Sequence, residues 1–252
     1  MPIRYRCAVV LLLVALLVPT LVLTGAPGAN AAASNLSVDH RPGCATQPTN
    51  PLIQRNAARL LRGNDREVIT VVASIGDATS ASLTLWRRAG TCYVLVNGPW
   101  RAEIGSSGLK ANKSEGDGST PIGTYAIGSV MYGVSANPGL AYPYHRIVCG
   151  DWWDEDSSSV LYNKFVHLPC GTPPPFGGDS EALWQITPQY DYFAVVDYND
   201  SPTVPGRGSA IFIHLSVGEP TAGCIALPEA QLLTTLRWLE PGAHPLVVIG
   251  NR

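Results

Sequence analysis

The chain has 252 residues, with 17 basic and 19 acidic side chains and a formal net charge of −2. That length allows one domain with a real core. A mildly acidic balance argues against nucleic acid and anionic membrane as partners.

Residues 1–33 read as a secretory signal peptide. Arg4 and Arg6 precede an apolar run from Cys7 to Leu23, broken only by Pro19 and Thr20. The small-residue stretch Ala29-Asn30-Ala31-Ala32-Ala33 follows, with cleavage expected after Ala31 or Ala33. The run is also borderline for spanning a bilayer, so an uncleaved anchor is the alternative, and only that reading brings a membrane in. Either places the remaining 219 residues outside the cytoplasm, with 15 basic against 19 acidic side chains.

Residues 34–65 form a lead-in that ends in a short helix. Asn50 is a suitable N-cap, Pro51 sits at the first helical position, and Gly63 follows the end at Arg62. Leu52, Ile53, Asn56 and Leu60 fall on roughly one face. From residue 66 the signal changes to strands. Val68–Val72, Leu83–Trp86 and Cys92–Val96 follow at short spacing, then segments around Tyr125–Ile127, Phe193–Val196, Ala210–Leu215 and Leu246–Ile249. A late helix starts at Pro228, aligns Leu232, Leu236 and Leu239, and stops at Pro241-Gly242. The pattern predicts a mainly β domain over 66–252, a sandwich or open barrel with a few short helices. The polar stretches 105–120 and 150–160 are too long for tight hairpins and read as functional loops.

Five cysteines follow the signal segment: Cys44, Cys92, Cys149, Cys170 and Cys224. An odd count in an exported chain leaves one thiol over. Several pairings are open; chain order suggests Cys44–Cys92 and Cys149–Cys170, with Cys224 free. A free thiol in an oxidising compartment is a liability unless it is used or deeply buried.

The densest chemical signal lies around that thiol. Ala210 to Ser216 reads as a strand with His214 on the face of Phe212 and Ser216. Gly218 and Pro220 favour a turn, and Thr221-Ala222-Gly223-Cys224-Ile225 returns beside it. This places a nucleophile and a general base side by side. Gly223 permits a tight turn whose amides can face an oxyanion. A model thiol has a pKa of about 8.5, so His214 is expected to supply the reactive thiolate at neutral pH. A buried, inert Cys224 beside a core histidine is the competing reading.

These residues resemble the active-site signature of the L,D-transpeptidase catalytic domain, also called the YkuD-type domain. A second stretch, Gly116-Asp117-Gly118-Ser119-Thr120-Pro121-Ile122-Gly123-Thr124-Tyr125, resembles the family's Thr-Pro-x-Gly-x-aromatic motif. Trp152-Trp153 and Tyr162-Asn163 resemble an exported, actinobacterial-type branch. The resemblance covers roughly residues 66–250. It implies a mainly β catalytic fold and a cysteine that attacks a peptidoglycan tetrapeptide stem, expels the terminal D-alanine and holds the rest as a thioester. An amine from a neighbouring stem then forms a 3→3 crosslink, or water resolves it in a carboxypeptidase. It implies no metal or nucleotide cofactor, and acylation by carbapenem-type β-lactams. Cys224 carries over as nucleophile, His214 as base, Gly223 with Cys224 as oxyanion donors and Thr221 as the hydroxyl residue of the signature. Tyr125, Trp152 and Trp153 are candidates for substrate contact. The chain departs from the family where Ala222 replaces a second histidine, where Ala226 replaces Arg or Asn, and in the short span from His214 to Cys224.

His145, His167, Cys149 and Cys170 match no familiar zinc spacing. Trp152 and Trp153 serve equally as an aromatic plug. Asp151, Asp154, Glu155 and Asp156 form an acidic cluster that suits an amine acceptor, with a solvated loop or a chance calcium contact as the plainer reading. Glu219 or a backbone carbonyl orients His214.

Overall fold

A computed structural model describes residues 50–74 and 79–252. The expected signal segment, residues 34–49 and Cys44 lie outside the described residues.

Helix α1 (Pro51–Arg62) opens this part of the chain. The Asn50 side chain accepts from the N–H groups of Leu52 at 2.9 Å and Ile53 at 3.3 Å. Those donors have no intrahelical partner, and Pro51 lacks an N–H at a position that needs none. Fourteen strands follow among the described residues: β1 (Glu67–Ala73), β2 (Ser80–Ala89), β3 (Cys92–Glu103), β4 (Leu109–Lys110), β5 (Thr120–Pro121), β6 (Gly123–Gly133), β7 (Tyr144–Arg146), β8 (Asp151–Asp154), β9 (Lys164–His167), β10 (Glu181–Ala182), β11 (Phe193–Val196), β12 (Phe212–Leu215), β13 (Ile225–Leu227) and β14 (Leu246–Asn251). Helix α2 (Glu229–Trp238) lies between the last two.

The large sheet runs β11-β12-β13-β3-β2-β1-β14-β6-β7. Strand β6 is long enough to pair with β14 through its first residues and with β11 through Ile127–Tyr132. That second pairing closes the sheet on itself into a barrel. β1 is buried on both faces, which is why its sequence is continuously β-branched rather than alternating. Ile69 and Val71 enter the main core with Leu83, Ile213 and Ile225. Val68 and Val72 point the other way and pack with Leu52 and Leu60 of α1. The helix of the lead-in therefore packs on the sheet. Leu232 and Leu236 of α2 and the following Leu239 are fully buried in the main core, each contributing about 1.5–3 kcal/mol by burial.

The fold is mainly β, as the strand spacing predicts. The stretch 150–160 differs from expectation. It begins with β8, the centre of a three-stranded sheet β10-β8-β9. Its neighbours pair across distant sequence, so no local turn signal marks it. The last strand segment before the cysteine also starts later than expected, at Phe212. Ala210 takes a left-handed conformation, φ 50°, and its N–H is drawn out of the ladder to Asn163 Oδ1 at 3.0 Å.

Candidate active site

Strands β12 and β13 lie parallel, with Ile213 opposite Ile225 and His214 opposite Ala226. Paired residues share a face, so Ile213 and Ile225 go to the core while His214, Ala226, Phe212 and Cys224 face the other way. The turn before the cysteine is fixed by its hydrogen bonds. Thr221 N–H donates to Ile104 O at 3.0 Å, and Thr221 O accepts from Ser106 N–H at 2.8 Å. Thr221 Oγ1 accepts from Gly223 N–H at 3.1 Å and donates to Cys224 O at 2.7 Å. Gly223 has φ 151°, and a Cβ there would stand 2.9 Å from Ser119 O. No other residue fits without displacement. The amide expected to serve as an oxyanion donor at Gly223 is thus committed to Thr221.

Cys224 is the free cysteine of the described residues, and it is buried. Its thiol donates to Ala210 O at 3.2 Å and accepts from Phe212 N–H at 3.3 Å. His214 Nδ1 lies 2.8 Å from Leu215 O. A carbonyl only accepts, so Nδ1 carries the proton and Nε2 is the free base. The orienting group is therefore this backbone carbonyl rather than Glu219. Burial pushes the thiol well above its ordinary value, and Glu181 adds to it, against the Phe212 N–H and Lys113. Burial also lowers the imidazole, against the Leu215 hydrogen bond and Glu103. Both shifts favour the neutral pair. The thiol is held by the backbone of Ala210 and Phe212, an arrangement that favours the protonated form over the expected thiolate. For His214 to take its proton, the thiol must leave Ala210 O.

His214 and Cys224 line one cavity of about 450 Å³. Ala222, Ala226, Gly223 and Thr221 line it too, with Tyr190, Lys113, Glu115, Glu155, Asp179 and Glu181. Tyr190 packs edge-on to His214, ring centres 5.6 Å apart, and its hydroxyl donates to Glu181 Oε2 at 2.6 Å. Lys113 is buried and paired with Asp117 at 2.8 Å. Burial and neighbouring carboxylates push Glu155 up to about 9, and burial pushes Glu181 up to about 7.

The three residues expected to touch substrate lie elsewhere. Tyr125 donates its hydroxyl to Ile122 O at 2.8 Å and packs edge-on to Tyr198. Trp152 packs against Trp184 and Phe176. Trp153 is buried edge-on to Phe212 at 4.9 Å. Its indole N–H donates to Asn163 Oδ1 at 3.1 Å, the same oxygen that accepts from Ala210 N–H. Trp153 and Asn163 therefore brace the segment that holds the thiol, the packing role that was the alternative to substrate contact. The histidines considered for zinc flank a buried carboxylate instead: Asp151 lies 2.8 Å from His145 Nε2 and 2.6 Å from His167 Nδ1. Cys149 and Cys170 form a disulfide. Cys92 is also disulfide-bonded; its expected partner Cys44 is outside the described residues. Sequence reasoning passed over Lys113, Glu115, Glu181 and Tyr190. The first two stand just before the Gly116–Tyr125 stretch, which was their only signal.

No curated protein and no solved structure matches this chain. The sequence model of YkuD, the L,D-transpeptidase catalytic domain, matches residues 56–249, a span that runs from α1 to β14 and contains both His214 and Cys224, and the chain belongs to that family.

Proposed function

We propose that the protein is an exported peptidoglycan L,D-transpeptidase that works through a thioester on Cys224. The observation that supports this best is the cavity shared by a free thiol and a histidine whose Nε2 is left open as a base. The substrate is a tetrapeptide stem. Sγ adds to the carbonyl carbon that joins the terminal D-alanine, and Nε2 takes the thiol proton. The Cys224 N–H is the candidate donor to the oxyanion, since that of Gly223 is engaged. The C–N bond breaks, the imidazolium gives its proton to the leaving amine, and D-alanine departs. An acceptor amine then attacks the thioester. Its proton passes by way of His214 to the departing sulfur, and a 3→3 crosslink forms.

Intact-protein and peptide mass spectrometry after exposure to a tetrapeptide stem or a carbapenem tests the reading. One adduct on Cys224, absent from Cys224→Ser, is the expected result. Dimeric product identifies a transferase, and tripeptide alone a carboxypeptidase. Absence of any adduct would leave an idle wall-binding domain.

A further inference from the structure

One charged side chain beside the dyad takes no part in the proton transfers of the thioester route. Ala226 lies opposite His214 in the β12–β13 pair and opposite Glu103 in the β13–β3 pair. His214, Ala226 and Glu103 therefore stand in one row across three strands, with their side chains on one face. Burial agrees. Ala102 and Ile104, on either side of Glu103, go to the main core, so Glu103 points the other way. Two strand spacings separate the ends of the row, about 10 Å between backbones. Alanine at 226 leaves the path between them free of any side-chain charge or dipole. On its other flank His214 has Phe193, opposite it in the β11–β12 pair, which offers no charge.

Glu103 Oε2 is shut off from solvent and has no donor. A buried acceptor without a donor is costly, and water, which would screen its charge, is kept from that oxygen. The negative charge of Glu103 favours the protonated ring of His214. The other titratable groups around the ring act elsewhere. Tyr190 packs edge-on against it and gives its hydroxyl to Glu181. Lys113 is paired with Asp117. Glu219 of the connecting loop is exposed, so solvent screens it. In the carboxyl wall of the cavity, made by Glu115, Glu155, Asp179 and Glu181, Glu181 and Glu155 oppose ionisation of the thiol.

We propose that Glu103 is a positioning residue for this chemistry: from across Ala226, its negative charge stabilises the imidazolium that forms when Nε2 takes the proton of Cys224. The inference deepens the reading of His214 as the base and rests on it. The proton moves from Sγ to Nε2 and later to the leaving amine. Glu103 takes no proton, and it stands behind the residues that line the cavity. Thiol and imidazole start neutral and must separate charge in a buried site, which is costly without a compensating partner. An opposite charge already in place lowers that cost with no reorganisation.

The test measures acylation of Cys224 by a carbapenem in wild type, Glu103→Gln and Glu103→Asp. Glutamine has the shape of glutamate, so Glu103→Gln removes the charge at nearly constant packing, and urea unfolding checks that the fold is kept. Its rate constant at saturation should fall about tenfold, the size expected of one charge about 10 Å away. The half-saturating concentration should not change, since Glu103 does not reach the ligand. The acid limb of the rate, set by His214, should move to lower pH. Glu103→Asp keeps the charge and should stay close to wild type in all three. Disturbed packing predicts the reverse order, with the shortened Asp slower than the isosteric Gln and the acid limb unmoved. That order, a Gln variant equal to wild type, or a Gln variant that does not fold overturns the role of Glu103. Absence of any adduct in wild type overturns the reading of the dyad itself, and the proposal with it.

Discussion

The hydroxyl of Thr120 donates to the carbonyl of Gly223 at 2.7 Å, across 103 residues of chain. The same oxygen accepts from Gly105 N–H at 2.8 Å. One buried hydroxyl thus ties the Thr-Pro stretch to the turn that presents Cys224. Thr120→Val removes both bonds at constant shape and strands two buried backbone groups. The expected cost is about 1–3 kcal/mol for each group left unpaired, together with slower acylation of Cys224. Thr120→Ser should retain most of both. Urea unfolding and adduct formation followed by mass measure the two effects; a Val variant as stable and as reactive as wild type would sever this link.

Gly223→Ala should damage the site more than its size suggests. The added methyl meets Ser119 O at 2.9 Å in a backbone conformation that L-residues rarely adopt. Strain of this kind costs about 1–3 kcal/mol, and its relief moves the adjacent thiol. Acylation by a carbapenem should fall by more than the loss in unfolding free energy would predict. Unimpaired acylation would show that the turn is not fixed by this residue.

Reactivity of the free thiol should follow the neutral pair. Iodoacetamide labelling of Cys224 is expected to be slow near pH 7 and to rise only on the alkaline side of the model thiol value, about 8.5. His214→Ala should change that profile little, yet slow acylation by a stem by about 10²–10⁴-fold, the usual contribution of a general base. Labelling that stays fast down to pH 6, and is lost in His214→Ala, would restore the thiolate–imidazolium pair.

Stability should depend on pH through the carboxyl wall. Glu155 is raised from 4.5 to about 9 and Glu181 from 4.5 to about 7. Between those limits the folded chain holds protons that the unfolded chain has released, so stability falls as pH rises. The contribution is fully present below pH 4.5. It is lost from there upward, through about pH 7 for Glu181 and about pH 9 for Glu155. Glu155→Gln removes its share of this slope. Urea midpoints at intervals from pH 4.5 to 9 measure it, and parallel curves for wild type and Glu155→Gln would contradict the assignment.

Much of the fold was legible because its signals are local. Asn50-Pro51, the β-branched run of β1 and the aligned leucines of α2 each state their element within a few residues. The His214–Cys224 face was legible too, since alternation along β12 needs only a period of two. The thiol's partner was not. It depends on Ala210 adopting a left-handed backbone, and that depends on Asn163, 47 residues upstream. Nor was the carboxyl wall legible as a wall. Glu155 looked like one acid in a run of four, and only the β8–β10 pairing separates it from its neighbours. Trp153 was left between two readings for a related reason: an indole beside a site looks the same in sequence whether it faces the ligand or braces the backbone behind it.

The parallel register of β12 and β13 bears on how freely the connecting loop can vary. Cys224 and His214 share a face because Ile213 is aligned with Ile225, and a slip of one residue would turn the thiol into the hydrocarbon interior. The alignment is held by ladder bonds and by Thr221, which is clamped to Ile104 and Ser106, and not by the length of the exposed segment at Val217–Pro220. Insertions or deletions there can keep the dyad in register, but they reshape the cavity, because Val217, Glu219 and Pro220 line it. The short spacing of this chain therefore leaves the dyad in register while setting how much of the cavity wall those three residues supply.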